Sequence, residues 1–191
     1  GWELHMRYDE ALPVWDALAA VGVMPFGVET YANTRRMEKS LRLQNADLLT
    51  EYNLIESDLQ RPKVKEADFR GKEANIAHRA LPHQVAKLCT LTMEANVDSS
   101  GVKRYPVGSV PILDPETGET IVDSLGRRSF STSMAYGPTI GKTIMLAYLP
   151  HEKAVKGNRF EIEYFGERYP VAVAGVGYEP LYDPESLKPR S

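Results

Sequence analysis

Val85-Ala86-Lys87-Leu88-Cys89-Thr90-Leu91-Thr92-Met93 marks the place where the hydrophobic period of the chain changes. From here on, short apolar runs repeat with a period near two, the spacing that puts alternate side chains on opposite faces of a strand. Residues 85–93, 111–113, 120–123, 128–132, 144–149, 160–164 and 167–174 read as strands. Turn signals separate them: Asp114-Pro115-Glu116-Thr117-Gly118, Ser124-Leu125-Gly126, Lys156-Gly157-Asn158 and Phe165-Gly166-Glu167. Short strands at such spacing predict a small antiparallel barrel or sandwich.

Upstream the period is helical. Asp9 can cap a helix over 10–21, whose Ala11, Val14, Trp15, Leu18 and Val21 share one face, with Gly22 as its stop. Pro13 falls near the first turn, where proline is tolerated. A second helix is expected over 28–38. Residues 39–70 are irregular and charged, but Leu41, Leu43, Leu48 and Leu49 predict an ordered segment. Asp68-Phe69-Arg70-Gly71-Lys72-Glu73 opens a further helix to about Ala80, and Leu81-Pro82 ends it. Before all of these, Trp2-Glu3-Leu4-His5-Met6-Arg7-Tyr8 alternates as a half-buried strand does. A chain that opens in a strand suggests neighbours lost upstream, hence a truncated piece. The expected class is α+β: a partial α/β domain over 1–82, then a C-terminal antiparallel β-barrel and tail over 83–191. The tail from Tyr178 to Ser191 holds Pro180, Pro184 and Pro189 and is expected to wrap over the surface.

Composition narrows the function. The chain has 191 residues, a net charge of −3 and 42% apolar residues, enough for one or two packed domains. With a pI near 5.9, it offers no strongly basic field for nucleic acid. Cys89 is the one cysteine, which excludes an intrachain disulfide and a cysteine-based zinc site and fits a reducing, cytoplasmic setting. The longest apolar candidate for a membrane span, 144–149, is far short of the ~20 residues needed. The first residues lack the basic start and apolar stretch of a secretion signal.

His5, His78, His83 and His151 stand in no metal-ligand spacing, so no metal is expected. Gly137-Pro138-Thr139-Ile140-Gly141-Lys142-Thr143 ends like a phosphate loop, but one residue is missing between its glycines and a strand follows where a helix is required. Ser129, Ser131, Thr132 and Ser133 crowd together with no base beside them. Glu3 admits two readings: a solvent-facing carboxylate on an otherwise apolar strand, or a partly buried acceptor for a ring bearing N–H donors.

Several of these pieces, in order, resemble the aminomethyltransferase family: the T-protein of the glycine cleavage system and the folate-binding C-terminal regions of dimethylglycine and sarcosine dehydrogenases and oxidases. Gly1-Trp2-Glu3-Leu4 is similar to the family's Gly-aromatic-Glu-aliphatic strand, and Trp15-Asp16-Ala17-Leu18 to its next helix. Gly27 through Arg36-Met37-Glu38-Lys39 resembles the Gly…Leu-Arg-Leu/Met-Glu helix, in the form of the dimethylglycine and sarcosine branch. Asp68-Phe69-Arg70-Gly71-Lys72-Glu73-Ala74 resembles the segment before the barrel. Tyr136-Gly137-Pro138-Thr139-Ile140-Gly141-Lys142 with Ala147-Tyr148-Leu149-Pro150 resembles the barrel signature, and Leu181-Tyr182-Asp183-Pro184-Glu185 the tail.

The resemblance implies a tetrahydrofolate-dependent enzyme that takes a carbon from a methylated amine such as dimethylglycine or sarcosine and forms methylenetetrahydrofolate. It implies Glu3 as the pterin acceptor, with Tyr182 and Arg36 as further folate contacts. The proton-handling aspartate is expected upstream of this chain, which by itself is expected to be inactive. If the parent is an oxidase, FAD would sit in an upstream domain, since no dinucleotide fingerprint occurs here. The implied partners are folate, the methylated amine and the missing N-terminal part, without nucleic acid or membrane. Two departures stand out. Ala32 occupies the place of a folate-contacting arginine, and Asn53-Leu54-Ile55-Glu56-Ser57-Asp58-Leu59 replaces Pro-Leu-Glu-Ala-Gly-Leu. Residues 97–110 form an insertion of no assigned role. Alternatives within the fold are an O- or S-demethylase and a non-catalytic folate-binding region.

Overall fold

The computed structural model of the chain describes residues 2–187; Gly1 and the last residues of the expected tail lie outside them. Helical segments precede an antiparallel sheet, as the α+β expectation requires. The helices are a 3-10 turn (Tyr8–Glu10) leading into α1 (Ala11–Ala20), a π-helix (Glu29–Arg35) running directly into α2 (Arg36–Glu38), and α3 (Lys72–Ala80). The strands are β1 (Ala86–Met93), β2 (Ile112–Leu113), β3 (Ser131–Gly137), β4 (Lys142–Pro150), β5 (Arg159–Tyr164) and β6 (Glu167–Val176). They form one 6-stranded sheet, ordered β2-β5-β6-β1-β4-β3, that curls into a half-barrel.

The period of two explains the packing. In β1, Cys89, Leu91 and Met93 point to one side, where they meet Met145, Ala147 and Leu149 of β4 and Tyr169, Val171 and Val173 of β6 in the larger core. Ala86 and Leu88 point to the other side and join Ile144, Leu146 and Tyr148 in a second core. That second core is closed by Met37 of α2, which is fully buried, with Tyr52 and Leu181 packed at its edge. Burying a side chain of this size contributes roughly 1.5–3 kcal/mol. The outer face of the sheet is thus where the helical part docks.

Three expectations are corrected. Residues 2–8 are not a strand: 2–7 have no paired neighbour, Tyr8 already opens a 3-10 turn (Tyr8–Glu10), and Trp2 and Tyr8 are each 99% exposed. Alternation describes which faces a strand would present, but a strand exists only when another supplies its hydrogen bonds. Residues 120–123 form no named strand, and β3 starts only at Ser131 rather than at 128. Their pairing is reduced to isolated bridges, Leu113 with Thr120, Val122 with Arg128 and Pro111 with Phe130. A tight turn held by the Asp123 carboxylate, which accepts the Leu125 and Arg127 N–H groups at 2.9 and 3.0 Å, interrupts the ladder. Finally, the expected second helix is wound as a π-helix for most of its length.

The end of α1 follows its sequence. Gly22 takes φ +83°, and the Gly22 and Val23 N–H groups donate to Ala19 and Leu18, closing the helix in a Schellman turn. Its apolar side, including Leu12, Trp15 and Leu18, is nonetheless exposed.

Candidate functional site

Five consecutive residues, Arg36 to Ser40, join the helical part to the barrel. Arg36 turns inward. Its Nη1 donates to Asp47 Oδ2 at 2.8 Å and to the Leu41 carbonyl at 3.1 Å, its Nη2 donates to Ser133 Oγ at 3.0 Å, and its Nε donates to the Ala32 carbonyl. Asp47 is fully buried and well supplied: Oδ2 also accepts the Leu43 N–H, Oδ1 accepts the Thr132 hydroxyl, and its carbonyl accepts Tyr148. A buried ion pair is held only when its remaining hydrogen-bonding positions are filled, and here they are.

Glu38 is also buried. Its Oε1 accepts the Thr139 N–H at 2.7 Å, in the turn between β3 and β4. Its carbonyl accepts the N–H groups of Leu181 and Tyr182 at 3.1 and 3.0 Å. One residue therefore fixes both the barrel turn and the C-terminal tail. Gly137 is needed beside it: a Cβ there would lie 2.6 Å from Ile144 Cδ1 and 3.1 Å from Glu38 Cγ. Lys39 Nζ reaches the Asp183 carbonyl at 2.7 Å and its carboxylate at 3.1 Å. Ser40 ends the segment at φ +53°. Its hydroxyl proton goes to the Glu179 carbonyl, so the Thr90 hydroxyl donates to Ser40 Oγ at 3.0 Å.

Between the π-helix and the tail lies a cleft of about 410 Å³ whose lining includes Tyr31, Arg35, Arg36, Lys39, Tyr182 and Asp183. It brings two of the expected folate contacts, Arg36 and Tyr182, to one place. Glu3 is not there. Its carboxylate stands in solvent, 3.5 Å from His5, with 88% of each side chain exposed. Arg36 spends its donors largely on protein acceptors, whereas the Arg35 guanidinium has no hydrogen bond or ion pair among the described residues. No group of three or more metal-capable side chains occurs among the described residues. No helix among them is long and apolar enough to cross a membrane.

A second polar cluster escaped the sequence reading. Arg127 Nη2 donates to Glu56 Oε1 and its Nε to Asp123 Oδ2, both at 2.6 Å, while its guanidinium sits 4.3 Å from the Tyr52 ring centre. Tyr52 stacks on Tyr148 at 3.6 Å. Glu56 also accepts the Ala86 and Asn53 N–H groups, so residues 52–56 are riveted to the first barrel strand. Burial pushes both phenols up to about 12, which makes them structural rather than acid–base groups. Arg127 lies far from its acceptor Glu56 in sequence, and no local pattern announces the pair.

Comparison with known proteins now adds a family. Residues 106–183 match the glycine cleavage T-protein C-terminal barrel domain. The chain is 28% identical over 199 aligned positions to the mitochondrial dimethylglycine dehydrogenase of Homo sapiens, covering 100% of this chain and 20% of that protein. It is 31% identical to an aminomethyltransferase of Exiguobacterium sibiricum, over 88% of this chain and 42% of the relative. The crystal structure of the glycine cleavage system aminomethyltransferase T from Bartonella henselae superposes with a TM-score of 0.71 at 18% identity, over 91% of this chain and 44% of the other. That last likeness is one of fold. The chain spans a fifth of the dehydrogenase and less than half of the aminomethyltransferases it matches.

Proposed function

We infer, from the premise that residues 106–183 are a glycine cleavage T-protein barrel domain, that this chain forms part of the folate side of an enzyme moving one carbon from a methylated amine to tetrahydrofolate. Dimethylglycine or sarcosine is the amine we favour, given the similarity along the whole chain to a dimethylglycine dehydrogenase. The observation that carries the reading is the cleft that gathers Arg36 and Tyr182 beside Tyr31 and Arg35.

The residues of that cleft suit a flat, anionic ligand. Tyr31 and Tyr182 offer aromatic faces to a heterocycle. The uncommitted Arg35 guanidinium suits a carboxylate. Arg36 and Glu38, buried and internally bonded, hold the wall rigid, so that positioning is settled before the ligand arrives. Tetrahydrofolate, when bound, supplies the nitrogens that accept the carbon. What this chain contributes is orientation and exclusion of water from a reactive iminium. We assign Glu3 a pterin contact from the extended segment 2–7, outside the cleft wall. The proton-handling aspartate, a flavin domain binding FAD, a boundary between residues 82 and 83, and a cytoplasmic setting belong to the same proposal.

Calorimetric titration of the chain with tetrahydrofolate tests it. Weak but saturable binding is expected, reduced several-fold by Tyr182→Ala, and in the whole protein Glu3→Gln is expected to weaken folate binding by about 1–3 kcal/mol. Affinity unchanged by both substitutions would remove these residues from the site. For the whole protein, methylenetetrahydrofolate as product supports the amine reading, and methyltetrahydrofolate would favour an O- or S-demethylase.

A further inference from the structure

Two adjoining clefts lie on a different part of the surface and share no lining residue with the cleft at Tyr182. One, of about 330 Å³, is edged by Arg61, Lys63 and Lys65 over an apolar floor of Leu54, Leu59 and Phe69. The other, of about 500 Å³, is edged by His83, Lys87 and His151. Gln60 and Arg79 line both, so the two adjoin across these side chains and form a double groove.

Neither lining contains an aspartate or a glutamate. This concentration of cations occurs in a chain whose net charge is −3. None of these cationic side chains joins an ion pair among the described residues, although Arg36, Arg104 and Arg127 each hold a carboxylate elsewhere. Like charges gathered without a counter-charge repel one another, by roughly 1 kcal/mol per pair at 4 Å even in water. A multiply charged anion relieves all of those repulsions together.

The groove also has fixed features. Arg79 is aimed: its Nε donates to Asn75 Oδ1 at 2.9 Å and its Nη2 to the Arg61 carbonyl, which leaves Nη1 to face a ligand. The rings of His83 and His151 stack with centres 4.7 Å apart, presenting imidazole N–H donors from two separate segments. Gln60 Oε1 is buried with no protein partner, an acceptor ready for a ligand N–H or O–H.

We propose that this double groove is a binding site for a small, extended polyanion, a chain of carboxylates or of phosphates, with an apolar or flat portion resting on Leu54, Leu59 and Phe69. The proposal is independent of the folate reading, which concerns the cleft at Tyr182.

The test is calorimetry on the chain with inorganic tripolyphosphate and with a triglutamate peptide, at low and at physiological salt. At least one anion is expected to bind, more weakly as salt rises. The stronger of the two identifies whether phosphates or carboxylates are the natural charge. Lys63→Gln with Lys87→Gln is expected to weaken binding at least tenfold. The control Lys103→Gln with Lys142→Gln, of equal charge change, is expected to alter it less than twofold. Lys65→Gln alone, an exposed position without a hydrogen bond, should weaken binding by a smaller factor and guards against a folding defect in the pair. Three results overturn the proposal: no binding of either anion at low salt, an equal loss in the control pair, or a single-stranded oligonucleotide that binds more tightly than both small anions.

Discussion

The Arg36 guanidinium and the Asp47 carboxylate meet at 2.8 Å with 9% and 0% of their side chains exposed, and this pair ties the last turn of the helical part to the edge of the barrel. Removing one charge strands the other in a dry place. Asp47→Ala is therefore expected to cost about 3–5 kcal/mol of unfolding free energy, measured by urea titration. Arg36→Met combined with Asp47→Leu should lose much less, because an apolar pair leaves no stranded charge. If the double variant is as unstable as the single one, the pair acts through geometry that the apolar residues cannot reproduce.

Gly137→Ala probes the neighbouring joint. The added methyl would have to displace Ile144 Cδ1, 2.6 Å away in the fully buried second core, or the Glu38 side chain that holds the Thr139 N–H. Overpacking of this kind costs about 1–3 kcal/mol. The same denaturant experiment reads it, and recovery on adding Ile144→Val would identify the crowded neighbour. An unchanged midpoint would mean that Ile144 finds another rotamer at no cost.

How far the sequence foretold these features depended on distance along the chain. Strands β1, β4, β5 and β6 were legible because the face each side chain takes is decided by its own parity, a local property. The resemblance of Arg36-Met37-Glu38-Lys39 and Leu181-Tyr182-Asp183 to family segments marked the two walls of the cleft. Their meeting was not legible: Glu38 takes the N–H groups of residues 181 and 182 through its carbonyl, an acceptor every residue has. Asp47 and Glu56 lie in the irregular segment 39–70, where no period separates a buried acid from a solvated one. Residues 2–8 misled for the opposite reason, since their alternation is real but nothing among the described residues pairs with them.

Cys89 is expected to be chemically quiet in the native chain. It is fully buried, and desolvation pushes its thiol up to about 12 from an ordinary 9.0. At neutral pH this leaves about a thousandfold less thiolate than in an exposed cysteine, and the thiolate is the species that reacts. Iodoacetamide should accordingly label the native chain at least about a thousandfold more slowly than the chain in urea. Comparable rates in both states would mean that β1 opens readily between β4 and β6.

The stacked Tyr52 and Tyr148 set the stability at the alkaline side. Burial raises both phenols from 10.0 to about 12, because a phenolate packed against the second core loses its hydration. In the unfolded chain they ionise near 10, so between these values the unfolded state sheds protons that the folded state keeps. Stability from this source is therefore complete below pH 10 and is lost progressively as pH rises toward 12. Urea midpoints taken across that interval should fall, and Tyr52→Phe should flatten part of the slope while leaving Tyr148 to titrate. Phenylalanine keeps the ring that faces Tyr148 at 3.6 Å, so the variant separates ionisation from stacking. A slope identical to that of the parent would mean that Tyr52 ionises in the folded state as easily as in water, which its place under the Arg127 guanidinium could bring about.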